Sequence, residues 1–274
     1  MNDNSPFGAH APAGFPRWAL ERTRALTGGW ASRRLAFVLR RLAIGRLKGA
    51  PVDVETLGAR MRLYPYNNVC EKRILFTPQF FDPEERRILE ARIGDGFAFV
   101  DIGANGGAYA LFVPARAGGS ARVLAVEPQP EIFDRLTFNI SQNPFGTVKA
   151  IACAVADKTG ELTLFLDPRN KGESSVKIVG SVQAGSVRVP AVTLVDLLRQ
   201  ERFSRVDAIK LDVEGAEDLI LDPFFRDAPT SLYPSLLIIE DGRDQWQTDL
   251  PKLLEAKGYE LIAQTRLNLV YERA

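Results

Sequence analysis

The stretch Phe99-Val100-Asp101-Ile102-Gly103-Ala104-Asn105-Gly106-Gly107 constrains the fold more than any other part of the chain. An apolar run of strand length meets an acid and then breaks into glycines, which reads as a strand turning into a helix. In an open parallel sheet the ligand lies beyond the carboxyl ends of the strands, so this turn has to let it approach bare backbone. Gly103, Gly106 and Gly107 are expected to clear that approach. The turn reads D-x-G-x-N-x-G, which departs from the G-x-G-x-x-G of dinucleotide folds.

Two acids make the pocket more specific. Asp101 at the strand tip suits a ligand with cationic groups and repels a pyrophosphate. Glu127 closes the next apolar run, Arg122-Val123-Leu124-Ala125-Val126, where a carboxylate can accept both ribose hydroxyls of an adenosine. Together they point to S-adenosylmethionine. A nicotinamide-dependent oxidoreductase on a similar sheet is the competing enzyme, and a catalytically silent binding module with the same fold is the competing non-enzyme.

Composition narrows the rest. A formal charge of +1 over 274 residues gives the whole chain no electrostatic claim on nucleic acid. Its cysteines, Cys70 and Cys153, lie far apart and form no C-x-x-C pair, which suits a reducing, cytoplasmic setting. The single histidine, His10, falls in a Gly/Pro/Ala-rich start, so a histidine base or histidine zinc site is not expected. No apolar run reaches the roughly eighteen residues of a membrane span, and no signal-peptide pattern opens the chain.

The chain divides into three parts. Residues 1–50 are expected to hold a flexible tail, over residues 1–16, and then a strongly basic stretch. Arg17, Arg22, Arg24, Arg33, Arg34, Arg40, Arg41, Arg46 and Lys48 there face only Glu21. On a helix, Leu35, Val38, Leu39 and Leu42 share one face and the arginines the other. Such a helix suits either packing on its own domain or a twin subunit, or a peripheral contact of residues 17–48 with an anionic membrane or glycolipid. Residues 51–95 read as a hairpin over 52–64 and a helix in which Asp82 caps, Pro83 starts and Glu85 completes a capping box.

Residues 96–274 alternate strand and helix, which argues a parallel sheet with helices on both faces. The strands are expected at 97–102, 122–127, 147–154, 206–211 and 235–240. Pro130 opens a helix along Ile132, Leu136 and Ile140, and Thr193 opens another over Leu194, Leu197 and Leu198. Leu162 to Leu166 and Val187 to Val189 read as extra strands around a polar loop, a plausible substrate cover. A terminal hairpin is expected over 259–263 and 268–271.

The fourth strand ends in Asp212-Val213-Glu214-Gly215-Ala216-Glu217 and the fifth in Glu240-Asp241. Because strand order reverses between the first and fourth strands, these tips should stand beside Asp101. Without a usable histidine, Asp212, Glu214 and Glu240 are the candidate bases, Asp212 first, with Lys210 neutralising them or touching the acceptor. Asp212, Glu240 and Asp241 could also hold a divalent ion, a less favoured variant.

With these residues assembled, the chain resembles the FkbM family of S-adenosylmethionine-dependent methyltransferases. The resemblance rests on Val100-Asp101-Ile102-Gly103-Ala104-Asn105-Gly106, Val126-Glu127-Pro128, Ala154-Val155-Ala156-Asp157 before Gly160, Ser174-Ser175, and Lys210 to Glu217. It covers roughly residues 52–272 and leaves the basic helix outside. It implies an α/β, Rossmann-like class I methyltransferase fold: a mostly parallel sheet with an antiparallel C-terminal strand and helices on both faces, here with a helical N-terminal extension. On the matched motifs it places the donor against Asp101, Gly103, Ala104, Asn105, Gly106, Glu127, Pro128, Ala154, Asp157 and Asp212. Ser174 and Ser175 are expected to orient an acceptor, and O-methylation of a sugar, glycolipid or polyketide-like metabolite is the implied activity.

Overall fold

A computed structural model describes residue 3, residues 5–166, the backbone of Ser174–Ser175, and residues 185–273. Helices α1 (Gly14–Arg24) and α2 (Trp30–Leu47) precede a hairpin of β1 (Val52–Thr56) and β2 (Ala59–Leu63). Then come α3 (Val69–Phe76) and α4 (Pro83–Glu90). The alternating part follows as β3 (Ala98–Ile102), α5 (Ala108–Arg116), β4 (Arg122–Val126), α6 (Pro130–Ser141) and β5 (Val148–Ile151). Short β6 (Ala154–Val155), β7 (Gly160–Leu166), β8 (Ser174–Ser175) and β9 (Gly185–Val192) form a separate small sheet. The chain closes with α7 (Leu194–Gln200), β10 (Ala208–Leu211), α8 (Glu217–Asp227), β11 (Leu236–Glu240), α9 (Leu250–Ala256), β12 (Tyr259–Gln264) and β13 (Asn268–Arg273).

The main sheet has the order β12-β13-β11-β10-β3-β4-β5. Neighbours from β11 to β5 run parallel, while β13 is antiparallel to β11 and to β12. The order reverses between β3 and β10, so the crevice opens at their carboxyl ends. Alternation along each strand separates two cores. Phe99, Val123, Ala125, Ala208 and Ile238 pack under α5 and the N-terminal elements. Val100, Ile102, Leu124, Ile209 and Leu211 pack under α7, α8 and α9.

Local structure departs from the sequence expectations at four places. The expected strand over 147–154 splits, β5 staying in the main sheet and β6 leaving it to pair with β9. Residues 1–16 are not a free tail where they are described. Arg62, 1 % exposed, donates to the carbonyls of Asp3, Ser5 and Pro6, and its partner Asp53 accepts from the amides of Gly8 and His10. His10 itself bonds Asp3 and Ser5. Composition alone missed this because the stabilising partner is a buried ion pair more than forty residues away.

The capping box over Asp82 and Glu85 does not form. Asp82 sits at φ +41° with no capping bond and turns its carboxylate to Arg73 and Tyr109. Glu85 is buried and accepts from Thr265 and Asn268, tying α4 to the terminal hairpin. Finally, α2 buries Ala36, Leu39 and Ala43, while Leu35, Val38 and Leu42 face outward. Small residues allow close approach to α1, and of the predicted apolar stripe only Leu39 packs there.

Candidate active site

The site is built from the carboxyl ends of β3, β4, β10 and β11. At the end of β3 the chain turns through Gly103 at φ +78°, and a Cβ there would lie 2.0 Å from the carbonyl oxygen of Asp212. Glycine is needed because the β10 turn passes against it, so its freedom serves strand-tip packing first. Gly106 and Gly107 also face protein: a Cβ on Gly106 would meet Glu71 at 3.5 Å, and one on Gly107 would meet Leu136 at 3.0 Å. The expectation that all three glycines clear a path for ligand is therefore corrected, and only Gly103 borders the cavity.

Glu127 terminates β4 and is 6 % exposed. Its Oε1 accepts from the amide of Gln129 at 2.9 Å and its Oε2 from that of Asn105 at 3.0 Å. Burial pushes its pKa up to about 7, against the opposing pull of those two amides. Each carboxylate oxygen retains a further lone pair for a hydroxyl donor. Asn105, at φ +50°, is held from behind: its Oδ1 accepts from Asn68 at 2.7 Å and from Gly106 at 2.8 Å. Asn68 caps α3 and also donates to Glu71, which is buried against Arg135 at 3.0 Å.

A cavity of about 350 Å³ lies over these tips. Gly103, Asn105, Glu127 and Pro128 form one side, Cys153, Ala154, Val155 and Leu164 another, and Asp212, Val213, Glu214, Ala216 and Glu240 a third. The remaining wall is supplied by Val69, Cys70, Arg73, Phe81 and Asp82 from the N-terminal elements and Arg266, Leu267 and Asn268 from the terminal hairpin. The sequence reading missed most of this wall. Asp82, for instance, was expected only as a helix cap.

Several expected site residues are displaced. Asp101 is 1 % exposed and does not border the cavity. Burial raises its pKa to about 6, against the favourable field of Lys210, and its Oδ2 has no hydrogen-bond partner among the described residues. Lys210 is 3 % exposed, also absent from the wall, and donates to Asp212 at 2.7 Å. Burial works against its charge, yet Asp212 and Asp101 together hold its pKa above the ordinary value. Strand alternation explains both placements: the two residues are paired neighbours on β3 and β10, one position inside the tips, under α5. Lys210 is thus an internal ion-pair partner of Asp212, set behind the cavity wall.

Ala104 and Gly106 are likewise behind the cavity wall, and Asp157 is exposed outside it. Ser174 and Ser175 extend the small sheet by pairing with Leu166 and Phe165 of β7. Their side chains, and residues 167–173, lie outside the described residues.

Asp212, Glu214 and Glu240 each bring a carboxylate oxygen within 4.8 Å of the others. Asp241, which the sequence grouped with them, is instead bonded to Arg243 at 2.7 and 2.6 Å. Burial and the neighbouring Asp212, Glu214 and Glu217 push the Glu240 carboxyl well above the usual range, and its Oε2 is buried without a partner among the described residues. Glu217 is structural: it accepts from the amides of Val213 and Gly215 and from the Trp246 indole, closing the β10 turn.

A sheet of this order, with a glycine turn after β3, an acid ending β4 and acids on β10 and β11 around one crevice, is the Rossmann-like class I methyltransferase fold. The chain belongs to the family of the methyltransferase FkbM domain, which matches residues 101–261. It is similar to methyltransferase sdnD of Sordaria araneosa, 32 % identical over 43 % of this chain and 56 % of that protein. It is also similar to the hexuronic acid methyltransferase AglP of Haloferax volcanii, 28 % identical over 43 % of this chain and 45 % of that one. The chain thus spans about half the length of the curated relatives it matches.

Among solved structures, a precorrin-6y C5,15-methyltransferase from Geobacter metallireducens aligns at 12 % identity over 70 % of this chain and 88 % of that one, with a TM-score of 0.43. A human methyltransferase 10 domain containing protein aligns at 16 % identity over 70 % and 80 %, with a TM-score of 0.44.

Proposed function

We propose that this chain is an S-adenosylmethionine-dependent O-methyltransferase acting on a hydroxyl of a sugar, glycolipid or polyketide-like metabolite. The observation that carries the reading is Glu127, buried at one side of the cavity beside Gly103 and Pro128, with Asp212 on another side of the same space. Family membership supports methyl transfer, and a relative named for hexuronic acid supports a sugar-like acceptor. The missing G-x-G-x-x-G weighs against a nicotinamide cofactor.

When bound, the donor supplies an electrophilic methyl on a sulfonium. The protein's contribution is chiefly alignment, an effect that reaches roughly 7 to 11 kcal/mol in favourable cases. Glu127 accepts the donor's ribose hydroxyls. Asp212, held by Lys210, accepts the acceptor's proton as the new bond forms. Three carboxylates this close need neutralising, and a proton on Glu240 together with the Lys210 ammonium accomplishes it. A divalent ion on Asp212, Glu214 and Glu240 is the second reading, favoured only by their proximity.

Titration calorimetry with S-adenosylmethionine and, separately, with NADH tests the assignment. Saturable binding of the first alone is expected, and binding of NADH alone overturns it. Turnover unchanged after exhaustive chelation is expected, and its loss with recovery on adding a divalent ion favours the second reading.

A further inference from the structure

The face of α2 turned away from α1 carries large apolar side chains interleaved with arginines. Trp30 is 72 % exposed and Phe37 55 %, with Leu35, Val38 and Leu42 close to half exposed. Arg33, Arg34 and Arg41 are exposed among them. The Arg34 guanidinium stands 4.5 Å from the Trp30 ring centre and that of Arg40 stands 5.5 Å from Phe37. Among the described residues none of these arginines pairs with a carboxylate. Burial lowers the pKa of Arg40, and the nearby Lys72 is a like charge beside it.

A surface that covers this face has to accept apolar side chains and supply negative charge together. A second copy of the chain fits poorly, because a two-fold contact through α2 would set Arg34 and Arg41 against their own copies with no acid on the helix to answer them. A nucleic acid would neutralise the arginines and leave Trp30, Leu35, Val38 and Leu42 wet. The interface of an anionic bilayer meets both demands: headgroups take the guanidinium groups and the acyl boundary takes the aromatic and aliphatic side chains. Among the described residues no helix is long and apolar enough to cross a membrane, so α2 would lie along the lipid surface and not span it.

One further feature gives this face a direction. A groove of about 660 Å³ begins at Arg33, Phe37 and Arg40 of α2, passes Phe80, and reaches Arg73, Asp82, Arg266 and Leu267, which also wall the main cavity.

We propose that α2 docks this protein on an anionic lipid surface. The groove then opens the active site toward lipid-borne acceptors, a corollary that rests on the methyltransferase reading, whereas the docking does not.

Co-sedimentation of the full chain with phosphatidylcholine vesicles, with and without phosphatidylglycerol, tests the docking. Binding to the anionic vesicles is expected to exceed that to neutral ones by on the order of tenfold and to weaken in high salt. Arg34→Glu with Arg41→Glu, and separately Trp30→Ser with Leu42→Ser, are each expected to abolish the excess while leaving the unfolding temperature unchanged. Equal partition into both vesicle types, or none into either, overturns the proposal. So does a dimer, seen by analytical ultracentrifugation without lipid, that the same substitutions dissolve. Displacement of the protein from vesicles by RNA at equal charge would assign the face to nucleic acid instead.

Discussion

At the scale of single residues, the site separates groups that face the cavity from groups that hold those in place. Glu127 faces it, with a pKa raised to about 7 by burial. A ribose that donates to the carboxylate prefers its ionised form, so donor binding should release a proton near neutrality. Affinity for S-adenosylmethionine, measured by calorimetry, is therefore expected to rise between pH 6 and 8 and level off above. Glu127→Gln should weaken binding by about 1 to 3 kcal/mol and flatten that pH dependence; a variant that keeps the wild-type slope would assign the proton elsewhere. Asp212→Ala is expected to cut turnover roughly a hundredfold or more, as loss of a positioned base does, while donor affinity changes much less. Asp101 and Lys210 belong to the second group. Their identities are legible in the sequence as a polar pair near strand tips, but only the pairing of β3 with β10 shows that both lie beneath the cavity wall.

At the scale of elements, the parallel strands were readable because each is a short apolar run bounded by turn residues, and the helices opened by Pro130 and Thr193 lie where their caps suggest. The N-terminal elements were less readable, since their stability comes from distant partners. Arg62 of β2 makes a two-pronged pair with Asp53 of β1, both buried, while gathering the carbonyls of the preceding segment. Arg62→Ala leaves the Asp53 charge buried without its counter-ion, and is expected to lower unfolding free energy by about 3 to 5 kcal/mol in urea titrations. Its effect on activity should follow from the same hairpin, because the Arg62 amide donates to Asn139 and Asn139 donates to the Gly106 carbonyl behind the glycine turn. For α2, helical periodicity gave the element, but of the apolar residues it grouped only Leu39 is packed. Helical spacing groups residues, but which group packs depends on how closely the neighbouring helix approaches.

At the scale of the whole molecule, burying several carboxyls close together at one sheet edge couples stability to pH. Asp101 and Glu127 are raised to about 6 and about 7, from ordinary values of 3.8 and 4.5, and Glu240 is raised as well. Below the ordinary values both folded and unfolded chains hold these protons. As pH rises, the unfolded chain releases them first, so the folded state loses stability until its own pKa is passed, at about 1.4 kcal/mol per group and pH unit. Lowered carboxylates such as Asp53 and Glu272 act oppositely, stabilising above their ordinary values and losing that contribution only in stronger acid. Urea midpoints are accordingly expected to be highest near pH 5 and lower at pH 7.5; a midpoint that climbs steadily from 5 to 7.5 would show that these acids are ionised in the folded protein. The sequence by itself determined the alternation of strand and helix, the glycine turn, the acids at the strand ends and the family, because each is written in residues close along the chain. Only the tertiary structure decided which acids reach the cavity, which N-terminal and C-terminal side chains complete its wall, and which face of α2 is left uncovered. Those outcomes depend on strand register and on contacts between residues far apart, and neither is encoded in local spacing.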